Sequence, residues 1–183
     1  MAGELDELTL ARARTGDSSA LAQLIRHYQR PVFSLAARLL VGRGSAAVED
    51  AAQEAFIRVI RGIHSYDPRG PARLSTWILT VATRTYLNLL RVRRREEPLD
   101  EQLDGHAAAG TTPEEAAAER EQGRRLEAAM AALPEDMRAV LVLRAYHDLD
   151  YPEIAQALGL ELGTVKSRLA RARAALRDAV AKA

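Results

Sequence analysis

The residues whose types and spacing best fit a chemical role lie near the C-terminal end of the chain. Segment 164–171 reads TVKSRLAR and combines hydroxyl groups, positive charges and a small residue. Lysine and arginine bind phosphates and guanine, and small residues let a helix approach base edges in a major groove. The chemistry predicted here is non-covalent recognition of DNA. The candidate residues are Thr164, Lys166, Ser167, Arg168, Ala170 and Arg171.

A helix-turn-helix is predicted to position this segment. Asp150 with Glu153 forms an acidic capping box for a helix from Tyr151, and Gly159 suits the left-handed conformation that ends a helix. A second, basic helix should begin near Leu162, after a short turn. From Thr164 to Ala183 the chain has six Lys and Arg against one Asp. A solvated surface helix remains the alternative. At 100° per residue its apolar stripe comprises Val165, Leu169, Ala172 and Leu176.

Composition excludes several classes of protein. Cysteine is absent from the 183 residues, which excludes disulfides and thiolate metal sites and fits a reducing cytosol. No apolar run approaches the roughly 18 residues of a membrane span, and no signal peptide follows Met1. We therefore expect a cytoplasmic protein without membrane insertion. The four histidines are scattered without ligand spacing or a neighbouring nucleophile pattern, so neither an enzyme nor a metal or cofactor site is expected.

Helical periodicity without alternation of period two predicts an all-α fold. Helices are expected over 4–15, 18–41, 46–61 and 72–95, before those of the helix-turn-helix. Pro31 should kink the second helix. Ser45 should cap the third, Thr112 a later helix that begins with Pro113, and Pro134 suits the first turn of the helix before the helix-turn-helix.

The fourth predicted helix carries a second basic surface. Small hydroxyls beside arginines can engage a phosphate backbone, with salt-dependent affinity. A favourable interaction with the helix dipole is a simpler explanation for the arginines at the C-terminal end of this helix, but it does not explain Arg84. Trp77 fits the core better than a platform for base stacking. The surface comprises Thr76, Thr80, Thr83, Arg84, Arg91 and Arg94.

The third predicted helix has an apolar centre with a charged rim on its outer side. Ile57 lies opposite the core stripe, and such an arrangement is typical of a protein–protein contact. A single exposed isoleucine is also unremarkable, so the pattern alone leaves both interpretations open. The rim comprises Asp50, Gln53, Glu54, Arg58 and Arg61.

Residues 96–112 are predicted to be an acidic linker between two helical domains, 1–95 and 113–183. The linker lacks apolar periodicity, and nine acidic residues face one arginine between Glu96 and Gln122. Fully extended, it would reach about 55 Å, enough for the two domains to grip separate stretches of one duplex. A disordered spacer with no further role is the simpler alternative.

In combination these segments resemble the bacterial extracytoplasmic-function (ECF) sigma factors of RNA polymerase. The resemblance covers nearly the whole chain, two domains and a linker in the expected order. It is carried by DAAQEAFI at 50–57, YD at 66–67, STWI at 75–78, LPE at 133–135, DYPEIA at 150–155 and GTVKSRL at 163–169.

The resemblance implies a sigma factor that binds core RNA polymerase, directs it to promoters and helps to melt them. The implied partners are the β′ clamp and β flap of the polymerase, promoter DNA and, where one exists, an anti-sigma factor. The β′ clamp would bind Asp50, Gln53, Glu54, Ile57, Arg58 and Arg61. The minus-ten element would contact Tyr66, Asp67, Arg69, Arg73 and the basic surface of the fourth helix, and the minus-thirty-five element would contact the 164–171 residues. The linker resembles the one that threads the channel used by nascent RNA.

One position departs from the family pattern. The family commonly has asparagine seven residues after the helix tryptophan, where this chain has Arg84. Arginine is larger and cannot accept a hydrogen bond, so either the preceding loop sets the base preference or Arg84 binds phosphate. We favour phosphate. The alternative function is a free-standing helix-turn-helix regulator that binds duplex operator without polymerase.

Overall fold

The computed structural model describes residues 4–96 and 113–181, with side chains over 4–92 and 121–179. These residues form eight α-helices and one short 3₁₀ turn, and no strand occurs in the described ranges. The all-α prediction is therefore confirmed. Within the same ranges, no helix has both the length and the apolar character that crossing a bilayer requires.

The first four helices form one bundle. They are α1 (Glu7–Arg14), α2 (Ser18–Leu39), α3 (Gly44–Gly62) and α4 (Leu74–Glu96), and the 3₁₀ turn Ile63–Ser65 follows α3. Leu24, Leu35, Val59, Ile78 and Tyr86 are fully buried at its centre. The Tyr86 hydroxyl donates to the Val32 carbonyl at 3.2 Å, so its polar end is satisfied inside the core.

Local capping explains where these helices begin. The Asp6 carboxylate accepts from the Thr9 amide at 2.9 Å, so α1 begins at Glu7 rather than at residue 4 as predicted. Asp17 caps α2 as predicted, accepting from the Ala20 amide at 2.8 Å. This bond holds the pKa of the Asp17 carboxyl below its usual value. The α2 helix then runs through Pro31 to Leu39.

The prediction that Ser45 caps the third helix is wrong. The turn before α3 passes through Gly42 and Gly44, whose φ angles are 81° and 74°. Glycine adopts this left-handed backbone without steric cost, and the helix already begins at Gly44. Ser45 therefore lies inside the first turn, and no side chain caps this helix end.

The remaining four helices form a second bundle. They are α5 (Pro113–Ala132), α6 (Glu135–Ala145), α7 (Tyr151–Leu158) and α8 (Leu162–Ala181). Pro134 is the N-cap of α6 rather than part of its first turn. The predicted linker beyond Glu96 and the predicted cap Thr112 lie outside the described residues.

The helix-turn-helix forms as predicted. The carboxylate of Asp150 accepts from the Glu153 amide at 2.8 Å, and Glu153 accepts from the Asp150 amide at 2.8 Å, which completes the capping box. Gly159 ends α7 with φ 66°. Val165 and Leu169 of α8 are buried in the bundle, so the opposite side of α8 is directed away from its core.

A buried arginine joins α5 to α6. Arg138 is 6% exposed, and its Nη1 donates to the carbonyls of Met130 and Ala131 at 3.1 and 3.2 Å. These carbonyls belong to the last turn of α5, where they have no partner within the helix. Desolvation lowers the pKa of Arg138, although arginine remains charged. The side chain thereby fixes the corner between the two helices.

The two bundles pack against each other, with α4 against α7 and α2 against α6. The guanidinium carbon of Arg38 in α2 lies 4.0 Å from the ring centroid of Tyr146, the C-cap residue of α6. A cation over an aromatic face at this distance is attractive. The C-terminal bundle therefore covers part of the N-terminal one, which decides how the α4 surface is presented.

Candidate DNA-reading and protein-binding surfaces

The basic surface of α8 is exposed. Lys166, Ser167, Ala170 and Arg171 all face solvent, while Thr164 is half-buried. The Ser167 hydroxyl donates to the Thr164 carbonyl at 3.0 Å, and Arg171 Nε lies 3.4 Å from the Ser167 carbonyl. At that length the Arg171 contact is weak, so its guanidinium can be released to a ligand at little cost. These five residues and Arg168 are called the α8 face below.

Arg168 differs from its neighbours on this face. Its Nη2 atom forms an ion pair with Asp136 Oδ2 at 2.9 Å, and its side chain is 24% exposed. The pair joins α8 to α6 within the second bundle. Arg168 is thus held in a structural contact, although the sequence placed it among the DNA-binding residues.

The outer side of α3 presents the predicted apolar centre and charged rim. Ile57 is 42% exposed, whereas Phe56 and Val59 of the same helix are buried. Glu54 accepts from Arg58 at 2.8 Å in an i,i+4 ion pair on the rim. The set predicted to bind the β′ clamp is therefore gathered on one accessible surface, called the α3 face: Asp50, Gln53, Glu54, Ile57, Arg58 and Arg61.

Hydrogen bonds and ring packing hold the loop before α4. Tyr66 is 6% exposed, and its hydroxyl donates to the Ala72 carbonyl at 3.0 Å. Its ring lies 5.5 Å from the ring of Trp77, which is half-buried against the core. Asp67 accepts from the Arg69 amide at 2.9 Å and shapes a turn. Tyr66 is thus a packing residue in this conformation, whereas Arg69 and Arg73 are exposed.

Glu4 supports this loop and was missed by sequence reasoning. Its carboxylate accepts from the Tyr28 hydroxyl at 3.2 Å and from the Ser75 amide at 3.3 Å. It also accepts a short hydrogen bond from the Ser75 hydroxyl. The contact joins the N-terminal segment to the start of α4 across 71 residues. A glutamate in the acidic segment before α1 carries no sequence signal for such a partner.

The expectation that the basic side of α4 faces solvent is wrong for two of its threonines. Thr76 is 5% exposed and Thr83 is fully buried. The hydroxyls of Thr80 and Thr83 donate to carbonyls one turn earlier, at 2.8 and 2.7 Å. Thr76 instead donates to Glu153 Oε1 of α7 at 2.9 Å. The physical reason is that α7 packs onto this side of α4.

Arg84 is also engaged by α7. Its Nε donates to the Ala157 carbonyl at 2.8 Å and its Nη2 to the Gln156 carbonyl at 3.0 Å. Both carbonyls belong to the last turn of α7, where a helix has unpaired acceptors. Arg91 is exposed further along α4, and the side chain of Arg94 lies outside the described residues. Thr76, Thr80, Thr83, Arg84, Arg91 and Arg94 are called the α4 face below.

The described residues contain no group of three or more His, Cys, Asp or Glu side chains able to hold a metal ion. The surfaces consist instead of exposed cations, hydroxyls and one apolar centre. Such groups bind phosphates, base edges and protein partners. Together with the helix-turn-helix, they define a DNA-binding transcription protein.

Comparison with known proteins identifies the family. The Sigma-70 region 2 model matches residues 24–96, and the Sigma-70 region 4 model matches residues 123–176. SigW of Bacillus subtilis is 32% identical over 92% of this chain and 92% of its own length. The sigma-E factor of Escherichia coli K12 is 32% identical over 96% and 94%. The chain belongs to the ECF RNA polymerase sigma factors.

Other similar proteins agree with this assignment. SigE of Mycolicibacterium smegmatis is 38% identical over 92% of this chain, which spans 65% of the length of that relative. The structure of CnrH in complex with the cytosolic domain of CnrY matches 94% of this chain and 95% of its own, with a TM-score of 0.66 at 25% identity. The sequence-based interpretation as a sigma factor is confirmed, and the alternative of a free-standing regulator gains no support.

The fold alone is also shared with the sigma factor RpoE of Bartonella quintana, solved in complex with the anti-sigma factor NepR. The likeness has a TM-score of 0.69 at 20% identity and covers 87% of this chain and 95% of that one.

Proposed function

We propose that this chain binds core RNA polymerase, directs it to a set of promoters and helps to open them. The chain itself performs no bond chemistry, because nucleotidyl transfer belongs to the polymerase. It would act in the cytoplasm, where promoter DNA and polymerase meet. The observation that carries the proposal is the exposed α8 face on a helix-turn-helix, in a chain of the sigma-factor family.

The α8 face reads the upstream, minus-thirty-five element in this proposal. Lys166 and Arg171 are exposed cations, and Ala170 between them is small enough for close approach to base edges. A bidentate arginine–guanine contact contributes about 1–3 kcal/mol of discrimination against the wrong base. Arg168 contributes chiefly by holding α8 in place through Asp136.

The α3 face docks on the β′ clamp. Ile57 supplies an apolar centre, and the surrounding charges supply a polar rim that fixes orientation. Contacts at the centre of such a surface dominate affinity, whereas rim charges chiefly affect association rate. A further contact, between the second bundle and the β flap, would hold α8 over the upstream element.

The α4 face and the loop with Arg69 and Arg73 engage the minus-ten element. Exposed cations there neutralise phosphates of the separated strand. Bases held out of the stack offset an unstacking cost of a few kcal/mol per step. In this proposal Tyr66 stabilises the loop and does not contact DNA, since its hydroxyl binds the Ala72 carbonyl and its ring packs against Trp77.

An anti-sigma factor is a further partner that we propose. Two proteins with the same fold were solved in complexes, CnrH with the cytosolic domain of CnrY and the sigma factor RpoE with the anti-sigma factor NepR. A tagged chain should retain core polymerase subunits from its native lysate, and a small additional protein in the same fraction would be the candidate regulator.

Reconstituted transcription tests the main proposal. Purified chain and core polymerase are incubated with a library of randomised promoter sequences, and transcripts are sequenced. We expect transcripts from a subset of templates that share an upstream and a downstream motif at fixed spacing. If no template yields transcripts above those of core polymerase alone, the proposal fails.

A further inference from the structure

The residue that precedes α4 cannot cap this helix with its side chain. The Trp77 amide donates to the Arg73 carbonyl at 2.9 Å, and the helix begins at Leu74, so Arg73 occupies the N-cap position. Arginine has no side-chain acceptor and cannot bind the free amides of a first helical turn. An acceptor for these amides has to come from another side chain or from solvent.

Glu4 supplies that acceptor from 71 residues away. Its two carboxylate oxygens lie 3.4 and 3.3 Å from the Ser75 amide nitrogen, and the carboxylate also accepts from the Ser75 hydroxyl. Ser75 is the second residue of α4, a position whose amide an N-cap side chain commonly binds. A carboxylate there also interacts favourably with the positive end of the helix dipole. Glu4 thus occupies the place of a cap through a tertiary contact.

A buried tyrosine holds the Glu4 carboxylate in place. Tyr28 of α2 is 2% exposed, and its hydroxyl donates to Glu4 Oε2 at 3.2 Å and accepts from the Leu5 amide at 3.3 Å. Burial and the nearby Glu4 charge raise the pKa of Tyr28, so its hydroxyl remains a donor. The core of the first bundle therefore fixes the N-terminal segment against the start of α4.

Two contacts fix the 66–73 loop that precedes α4. The Tyr66 hydroxyl donates to the Ala72 carbonyl at 3.0 Å and closes the loop on itself. Glu4 holds Ser75, two residues beyond the end of the loop, and so fixes the loop relative to the bundle. The two arginines of this loop are both exposed, and their direction depends on these contacts.

We propose that Glu4 is a positioning residue for minus-ten recognition, which caps α4 from the N-terminal segment and thereby directs the loop arginines towards the separated strand. This inference rests on the proposed function of the loop and of the α4 face. Glu4 acts without touching DNA, because its carboxylate would repel phosphates. Its contribution is to keep the start of α4 helical, so that the loop is already arranged when a strand binds.

The fluorescence of Trp77 tests the cap in the free chain. Trp77 is the single tryptophan of the sequence and lies at the start of α4, with its ring 5.5 Å from that of Tyr66. We expect Glu4→Ala to raise its acrylamide quenching constant about twofold, because a helix start without its cap frays. Glu4→Gln should lie between the parent and Glu4→Ala, since its amide oxygen still accepts. Glu7→Ala, at an exposed glutamate of the same segment, is the matched control and should equal the parent.

A local cap should replace the distant one. Aspartate is a strong N-cap residue, so adding Arg73→Asp to Glu4→Ala should return the quenching constant to the parent value. This double variant serves the fluorescence measurement alone, because Arg73 belongs to the loop proposed to bind DNA. A quenching constant that is unchanged in Glu4→Ala, or that stays raised in the double variant, would overturn the inference.

Promoter opening tests the consequence for DNA. Permanganate reactivity of unpaired thymines is measured with reconstituted holoenzyme on a promoter from the library. We expect Glu4→Ala to lower the opened fraction about threefold. Protection of the upstream element and co-purification with core polymerase should be unchanged, and Glu7→Ala should open the promoter as the parent does.

The outcomes separate this inference from the proposed function. Equal opening by Glu4→Ala and the parent would overturn the positioning role. If the parent chain itself starts no transcript in the promoter library, the proposed function fails, whereas the quenching of Trp77 still decides whether Glu4 caps α4.

Discussion

Arg168 and Arg171 lie three positions apart on α8, and alanine substitution should affect a different property of the protein at each position. Arg168 is engaged by Asp136 at 2.9 Å with 24% of its side chain exposed, whereas Arg171 is exposed and has only a 3.4 Å contact with the Ser167 carbonyl. We therefore expect Arg168→Ala to lower stability and Arg171→Ala to lower sequence-specific binding.

The magnitudes follow from these environments. A partly exposed ion pair contributes up to about 1 kcal/mol to stability. Its loss would lower the melting temperature of a chain of this size by about 2–4 °C. Loss of an arginine contact to a base should cost about 1–3 kcal/mol, or roughly 5- to 150-fold in affinity. Asp136→Asn should reproduce the stability loss of Arg168→Ala, since it removes the same pair.

Two measurements on the same preparations check this prediction. Thermal unfolding gives the stability of each variant. Footprinting of the reconstituted holoenzyme on an active promoter gives the extent to which the variant protects the upstream element. Arg173→Ala, another exposed arginine of α8 outside the predicted set, is the matched control and should change neither. Equal losses of upstream protection in Arg168→Ala and Arg171→Ala, with equal melting temperatures, would refute the reasoning.

Three further predictions follow from single features. Ile57→Asp places a charge at the centre of the α3 face and should abolish co-purification with core polymerase, whereas Leu8→Asp, at the 71% exposed Leu8 of α1, should not; equal retention of both variants would remove the α3 face from the proposal. Gly159→Ala forces alanine into φ 66° and should destabilise the helix-turn-helix by about 1–2 kcal/mol by denaturant unfolding; no loss would contradict the role of this cap. Burial lowers the pKa of His147 to about 4, so its neutral form is favoured on folding. Stability from this group is present above the unfolded pKa of about 6.5 and falls by about 3 kcal/mol as pH drops from there toward 4, and His147→Gln should flatten that part of the unfolding profile.

Local signals in the sequence were sufficient to predict the helix-turn-helix. The capping box of Asp150 and Glu153 and the left-handed Gly159 act over a few residues, so their pattern determines their structure. The start of α3 was mispredicted for a related reason. Gly42 and Gly44 both have positive φ angles in the turn before α3. The helix begins at Gly44, so Ser45 lies inside it and is not its cap.

Contacts between distant segments could not be predicted from local patterns. Helical periodicity distinguishes an apolar side of α4 from a polar side, but it carries no information on whether another bundle covers that polar side. Thr76 and Arg84 are hydrophilic whether they meet solvent, DNA or α7. The same limit applies to Arg168, whose partner Asp136 lies in a different helix.

Because Arg138 fixes the junction between α5 and α6, helix α5 has a defined length and orientation relative to the second bundle. Its 20 residues correspond to about 30 Å of helix, and its last carbonyls are tied to α6 by the buried guanidinium. The start of α5, where the predicted linker ends, therefore has a fixed distance from α8 and a fixed rotational position relative to it. Each residue inserted near the start of α5 would turn that junction by about 100° and move it by about 1.5 Å, whereas an insertion in the predicted linker would leave the junction in place. The promoter spacing that the chain accepts should accordingly be more sensitive to insertions in α5 than to equal insertions in the linker.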